Sequence, residues 1–278
     1  MTSGAKQTGV SELTARPVSA GSSATRRPSV KVQSAACKPP FFCITGVLCD
    51  APADVRCLAR FLRPDQPLYR LGNGQHSYAR VEAWAAGHVD EVRTIQPRGP
   101  YILGGICSGG VVAFEVAQQL QAQGQQVALL AMVNPPPPPA PGLHSYLNQA
   151  AAIVGRIVQS LYHPLPGISQ RSPGGHGEYL DPGAEANADP RTVARYAPRP
   201  YPGRIDLFLT RESLASPSNP QLNWRELAAG GIEVHVFPRG HDGTIGEDAA
   251  WIGEAGLHIL TEQLETCIDQ ALANGYRF

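Results

Sequence analysis

No lysine follows Lys38 in a chain of 278 residues, and acidic and basic side chains cancel to a formal net charge of zero. Such a balance supplies no electrostatic attraction to nucleic acid or to an anionic membrane surface. Set against abundant Ala, Gly and Pro, the scarcity of lysine reads as the bias of a GC-rich genome and carries no function. None of the six cysteines (Cys37, Cys43, Cys49, Cys57, Cys107 and Cys267) stands in a C-x-x-C pair. That excludes the usual sequence-local zinc or dithiol motif, and six cysteines are too sparse for a disulfide scaffold at this length. No apolar run nears the ~18 residues of a membrane span. The opening MTSGAKQTGVSELTARP has no apolar h-region. A monomeric protein of the reducing cytoplasm is expected, with no nucleic-acid or membrane partner.

What is present is a regular alternation. Residues 1–36 are rich in Ser, Thr, Ala, Gly and Pro and read as a disordered tail or linker. From there to residue 278 a single domain is expected. PPFFCITGVL, LYRL, YILGGI, QVALLAMV, RIDLFLT and IEVHVFP read as strands. VRCLARFL, YARVEAWAAGHVDEVRTIQP, SGGVVAFEVAQQLQAQG and WIGEAGLHILTEQLETCIDQALANG read as helices between and after them. The strands are apolar throughout, which is the pattern of a parallel sheet covered by helices on both faces. One interruption, about 136–200, opens on NPPPPPAPG, which cannot continue a strand or a helix. It contains a helical stripe over 143–163. Lying at the C-terminal edge of the strands, it is placed to act as a lid.

The chemistry concentrates in GGICSGG. Cys107 stands between a strand and a helix, with Gly105 two residues before it and Gly109 two after. A nucleophile on a sharp strand-to-helix turn needs small residues at both places, and the following helix N-terminus favours a thiolate. Among eight histidines, His241 follows the last strand in FPRGHDGTIG, where a general base is expected. The group that orients it is open among Asn134 at the end of QVALLAMVN, Glu212 just past RIDLFLT, and Asp242. Asn134 fits the thiol chemically. An amide in place of the triad carboxylate costs a serine enzyme about 10⁴ in rate, whereas a thiol works as an ion pair with histidine and accepts a neutral orienting amide. Oxyanion donors are expected from the N–H of Ser108 and from the first loop, with Val47 ahead of Leu48.

These stretches resemble the thioesterase domains of nonribosomal peptide and polyketide synthases, an α/β-hydrolase family, over residues 39 to about 268 outside the lid. The most specific match is QPRGPYILGGICSGGVVAFEVAQQLQAQGQQVALLAMVN. The segments YAPRPYPGRIDLFLTRE and NWRELAAGGIEVHVFPRGHDGTI also match, including a Trp-x-x-Leu-Ala run. The resemblance implies an α/β-hydrolase fold, a mostly parallel sheet with helices on both faces and a helical lid insertion. It implies Cys107, His241 and Asn134 as the catalytic set, with Val47 and Ser108 at the oxyanion. It also implies no cofactor of the protein's own: the substrate is an acyl, aminoacyl or peptidyl group on the phosphopantetheine arm of a carrier protein, released by hydrolysis or cyclisation. Three positions depart from the family. Cys107 replaces serine, Asn134 replaces aspartate, and Thr45-Gly46-Val47-Leu48-Cys49 replaces a His-Gly-x-Gly-Gly loop. Two other outcomes stay open, shuttling of the acyl group between carriers and an inactive carrier-docking module.

Overall fold

The computed structural model describes residues 30–33, 38–45, 53–71, 79–138, 190–215, 220–239 and 252–275. In chain order these form β1 (Val30–Gln33), β2 (Phe41–Ile44), α1 (Ala53–Phe61), β3 (Leu68–Leu71), α2 (Val81–Ile95), β4 (Tyr101–Ile106), α3 (Ser108–Ala122) and β5 (Val127–Val133). Then come α4 (Pro190–Ala194), β6 (Ile205–Thr210), α5 (Arg211–Leu214), a 3₁₀ helix (Pro220–Glu226), β7 (Ile232–Phe237) and α6 (Gly253–Gly275).

One sheet runs in the order β1-β3-β2-β4-β5-β6-β7. Neighbours from β3 to β7 are parallel, and β1 alone is antiparallel, on β3. The apolar runs become the inner strands: every residue of β2, β4 and β6 is buried. Strands covered on both faces need apolar side chains in both directions, which is why they read as continuous runs.

Two cores flank the sheet. One gathers α2, α3 and the 3₁₀ helix around Trp84, Phe114, Tyr201 and Trp224. The other gathers α1 and α6 around Phe41, Phe208, Phe237 and Leu264. No helix among the described residues is long and apolar enough to cross a membrane.

β1 falls inside the stretch 1–36 whose composition reads as a tail. VKVQ is too short to register as periodic. It pairs with β3 through its backbone, Val32 packs partly buried against one core, and the Lys31 ammonium lies 5.9 Å over the Tyr69 ring. The helix expected over 143–163 lies outside the described residues, as does everything from 139 to 189.

The topology fixes where a ligand can sit. β2 lies between β3 and β4, so the chain turns one way after β2 and the other way at β4. The helix after β2, α1, packs on one face, and the helix after β4, α3, packs on the opposite face. Connections diverging from adjacent parallel strands leave a crevice at their C-terminal ends.

Candidate active site

Cys107 stands at that crevice as the whole of the turn between β4 and α3. Its backbone is at φ 54°, ψ −127°, a region that costs a non-glycine residue of order 1–3 kcal/mol. Two hydrogen bonds hold it there. The Cys107 N–H donates to the Val133 carbonyl at 2.9 Å, and the Gly110 N–H donates to the Cys107 carbonyl at 3.0 Å. Both glycines of the motif are demanded by close approach. A Cβ on Gly105 would collide with the Gly109–Gly110 backbone, and a Cβ on Gly109 would collide with the Ile44 carbonyl and Thr45. The second contact presses the chain leaving β2 against the elbow, so the loop from which Val47 is expected to act starts beside Cys107.

Cys107 is half-buried and stands at the N-cap position of α3 with no capping hydrogen bond from its side chain; the dipole of this 15-residue helix favours an anion at that end. Ser108, the first residue of α3, is buried with its backbone N–H at the same helix end.

Asn134 is one residue beyond the end of β5. It too has positive φ, 43°, which asparagine tolerates better than most residues. Its N–H donates to the Phe208 carbonyl at 2.7 Å. Its side-chain Oδ1 accepts from Ser213 Oγ at 2.9 Å and from Gln221 Nε2 at 3.3 Å. Gln221 Nε2 also donates to the Pro135 carbonyl at 2.7 Å, which fixes the Gln221 amide and thereby which end of Asn134 is the oxygen. Ser213 is aligned in turn by Thr210, which N-caps α5: Thr210 Oγ1 donates to Ser213 Oγ at 2.9 Å and accepts from the Ser213 N–H at 3.2 Å.

The structure therefore brings Cys107, Gly105, Gly109, Ser108 and Asn134 together at the C-terminal ends of β4 and β5. Glu212, another candidate for the orienting group, is exposed on α5. His241, Asp242, Val47 and Leu48 lie outside the described residues. β7 ends at Phe237, four residues before His241.

Ser213 and Gln221 had no signal in the sequence, because 79 and 87 residues separate them from Asn134. The Trp-x-x-Leu-Ala run has a structural reason. Trp224 is fully buried, tilts against Phe114 at 5.0 Å and donates its Nε1–H to the Pro136 carbonyl at 2.9 Å. It thus ties the 3₁₀ helix to the first residues after Asn134.

Comparison with known proteins matches residues 51–251 to the Thioesterase domain family. Among curated relatives, Malpibaldin synthetase of Mortierella alpina is 28% identical over 237 residues, 81% of this chain. The "Inactive atromentin synthetase invA6" of Paxillus involutus is 31% identical over 132 residues, 46% of this chain. The chain spans only 4% and 14% of those two proteins' own lengths. Among solved structures, the NocB thioesterase domain from the nocardicin cluster superposes with a TM-score of 0.58 at 25% identity, covering 83% of this chain and 94% of that one.

Proposed function

The chain belongs to the thioesterase domain family, and from that premise we propose that it takes an acyl, aminoacyl or peptidyl group from the phosphopantetheine thioester of a carrier protein onto Cys107 and releases it by hydrolysis or cyclisation. The observation that carries this reading is the strained, doubly hydrogen-bonded turn that presents Cys107 at the helix N-terminus with glycine packed on either side.

The steps balance without a cofactor of the protein's own. The Cys107 thiolate, with its proton held on His241, attacks the thioester carbonyl. The oxyanion that forms is met by the N–H groups of Ser108 and Val47. As the carbonyl re-forms, the pantetheine sulfur leaves and takes the proton from His241. Water, or a nucleophile within the acyl chain, then gives its proton to His241 and displaces Cys107. Asn134 orients the imidazole.

A second reading, transfer to another carrier, is favoured by the pairing of Cys107 with Asn134. A thioester on Cys107 is nearly isoenergetic with the thioester it came from, so passage to a second pantetheine thiol is reversible, and a neutral amide assists water less than a carboxylate does.

Intact-protein mass spectrometry tests both. The chain is mixed with an aminoacyl-loaded carrier beside Cys107→Ala, and an empty carrier is then added. An adduct on the wild type alone that decays to free acid supports release, and one that loads the second carrier supports transfer. If no adduct forms with any of several acyl groups, the catalytic reading fails and a carrier-docking module takes its place.

A further inference from the structure

Away from the elbow, three side chains from three elements converge on one point between the sheet and α6. Asp206 of β6 is buried, His235 of β7 is 14% exposed, and Cys267 of α6 is buried. His235 Nε2 lies 3.1 Å from Asp206 Oδ1 and 3.4 Å from Cys267 Sγ. One donor atom from each residue lies within 4.8 Å of the other two. We propose that Asp206, His235 and Cys267 form a zinc site that clamps β6, β7 and α6 together.

The donor set is that of zinc: a carboxylate oxygen, an imidazole nitrogen and a thiolate sulfur, with water as the fourth ligand. The spacing suits it as well. Around a tetrahedral zinc with Zn–N and Zn–O bonds of about 2.0 Å, nitrogen and oxygen lie roughly 3.3 Å apart. A thiolate at about 2.3 Å then lies roughly 3.5 Å from the nitrogen. The observed 3.1 and 3.4 Å are close to both edges of that tetrahedron.

The surroundings supply orientation and entry. The His235 ring stacks on Phe208, with centroids 4.5 Å apart and planes at 23°, which aims Nε2 at the other two donors. Arg204 donates to Asp206 Oδ1 at 3.2 Å, an outer partner of the kind that fixes a ligating carboxylate. Its positive charge is offset by Glu233, 2.7 Å from its other nitrogen. β7 ends the sheet among the described residues, and His235 on it is partly exposed.

The placement bears on the other site without depending on it. His235 and Cys267 flank, in sequence, the connection from β7 to α6 that carries His241. A metal clamp would tie β7 to the middle of α6, the two elements that this connection joins.

The test uses the untagged full chain, stripped with chelator and then titrated with zinc alone. Zinc retained after gel filtration is measured for the wild type, Cys107→Ala, His235→Ala and Cys267→Ser, with circular dichroism as a check on folding. The wild type and Cys107→Ala should keep equimolar zinc, and their melting temperature should rise by about 5–10 °C at ~100-fold excess over Kd. The other two variants should lose at least about tenfold in affinity. Cobalt in the wild type should show a thiolate-to-metal charge-transfer band. The proposal is overturned if the wild type retains no stoichiometric zinc, if Cys267→Ser retains it, or if bound cobalt shows no thiolate band. The trio is then a hydrogen-bonded cluster only.

Discussion

Cys107 and Asn134 hold equivalent places on neighbouring strands. Ile106 and Val133 are register partners, and the next residue of each strand turns to positive φ, 54° and 43°. They are the two non-glycine residues with positive φ among the described residues. Each is held by its own N–H: Cys107 donates to Val133, and Asn134 donates to Phe208 one strand further on. Their relative position is thus set by the sheet backbone. Side-chain identity can change at either place while the geometry stays.

That separation of geometry from chemistry predicts a non-additive pair of substitutions. Cys107→Ser alone should lower acyl-adduct formation by about 10³-fold or more, because an alkoxide needs a stronger base than histidine oriented by a neutral amide. Asn134→Asp in that background should restore at least about tenfold. In the wild-type background it should change the rate far less. Single-turnover acylation measured across the cycle checks this, and additive effects would sink the idea that the two residues are matched.

The elbow glycines differ in what they tolerate. Gly109→Ala must push the Ile44–Thr45 backbone away and should cost more than about 3 kcal/mol or abolish folding. Gly110→Ala meets Pro135 Cβ at 3.3 Å and gains helix propensity of about 1 kcal/mol, so its stability should stay within about 1 kcal/mol of wild type. Urea midpoints of the two variants decide the matter.

Asn134 depends on Ser213 and Gln221 for its orientation. Ser213→Ala removes one of two donors to Oδ1 and should lower kcat about five- to tenfold with KM unchanged. A purely structural role would instead lower the melting temperature and leave the kcat of the folded fraction intact.

The sheet was legible because its inner strands β2 and β4 are buried on both faces and read as unbroken apolar runs; β4 and β3 fall where YILGGI and LYRL place them. The elbow was legible because its constraint is local, two glycines and a thiol within five residues. β1 was not, since an edge strand is held by a partner's backbone that leaves no apolar signature. The Asn134 network and the Asp206–His235–Cys267 cluster were not legible for another reason. Their members lie 29 to 87 residues apart, and only the packing of α5, the 3₁₀ helix and α6 against the register of β5, β6 and β7 brings them together.

Among the described cysteines, reactivity should be confined to Cys107. Burial, and then the neighbouring Asp206 carboxylate, pushes the Cys267 thiol up to about 12, so without metal it carries almost no thiolate at neutral pH. Cys43 and Cys57 are buried as well. Iodoacetamide at neutral pH followed by peptide mapping should modify Cys107 in the native protein, and Cys43, Cys57 and Cys267 only after unfolding. Equal labelling of Cys107 and Cys267 in the native state would remove the basis for an activated nucleophile.

The chain leading into β6 is anchored by a buried pair whose titration gives the fold an alkaline weakness. Tyr196 donates to Glu115 Oε2 at 2.6 Å, and Gln119 donates to Oε1 at 2.9 Å, so helix α3 is bonded directly to the chain that re-enters the sheet at β6. Burial, and next the hydrogen bond to Glu115, raises the Tyr196 phenol far above its ordinary value, and burial raises Tyr201 and Tyr101 too. In the unfolded chain a tyrosine loses its proton near pH ~10. Above that pH the folded state binds more protons than the unfolded one, so stability falls as pH rises. Tyr196→Phe strips one of the bonds from a buried carboxylate and should cost about 1–3 kcal/mol at neutral pH. Because the variant no longer has that phenol to deprotonate on unfolding, its stability should fall less steeply between pH ~9 and ~11 than that of the wild type. Urea unfolding across that range checks both parts. Parallel pH profiles for the two proteins would show that the phenol is ionised or water-exposed in the folded state, and that the strut between α3 and the returning chain is not formed.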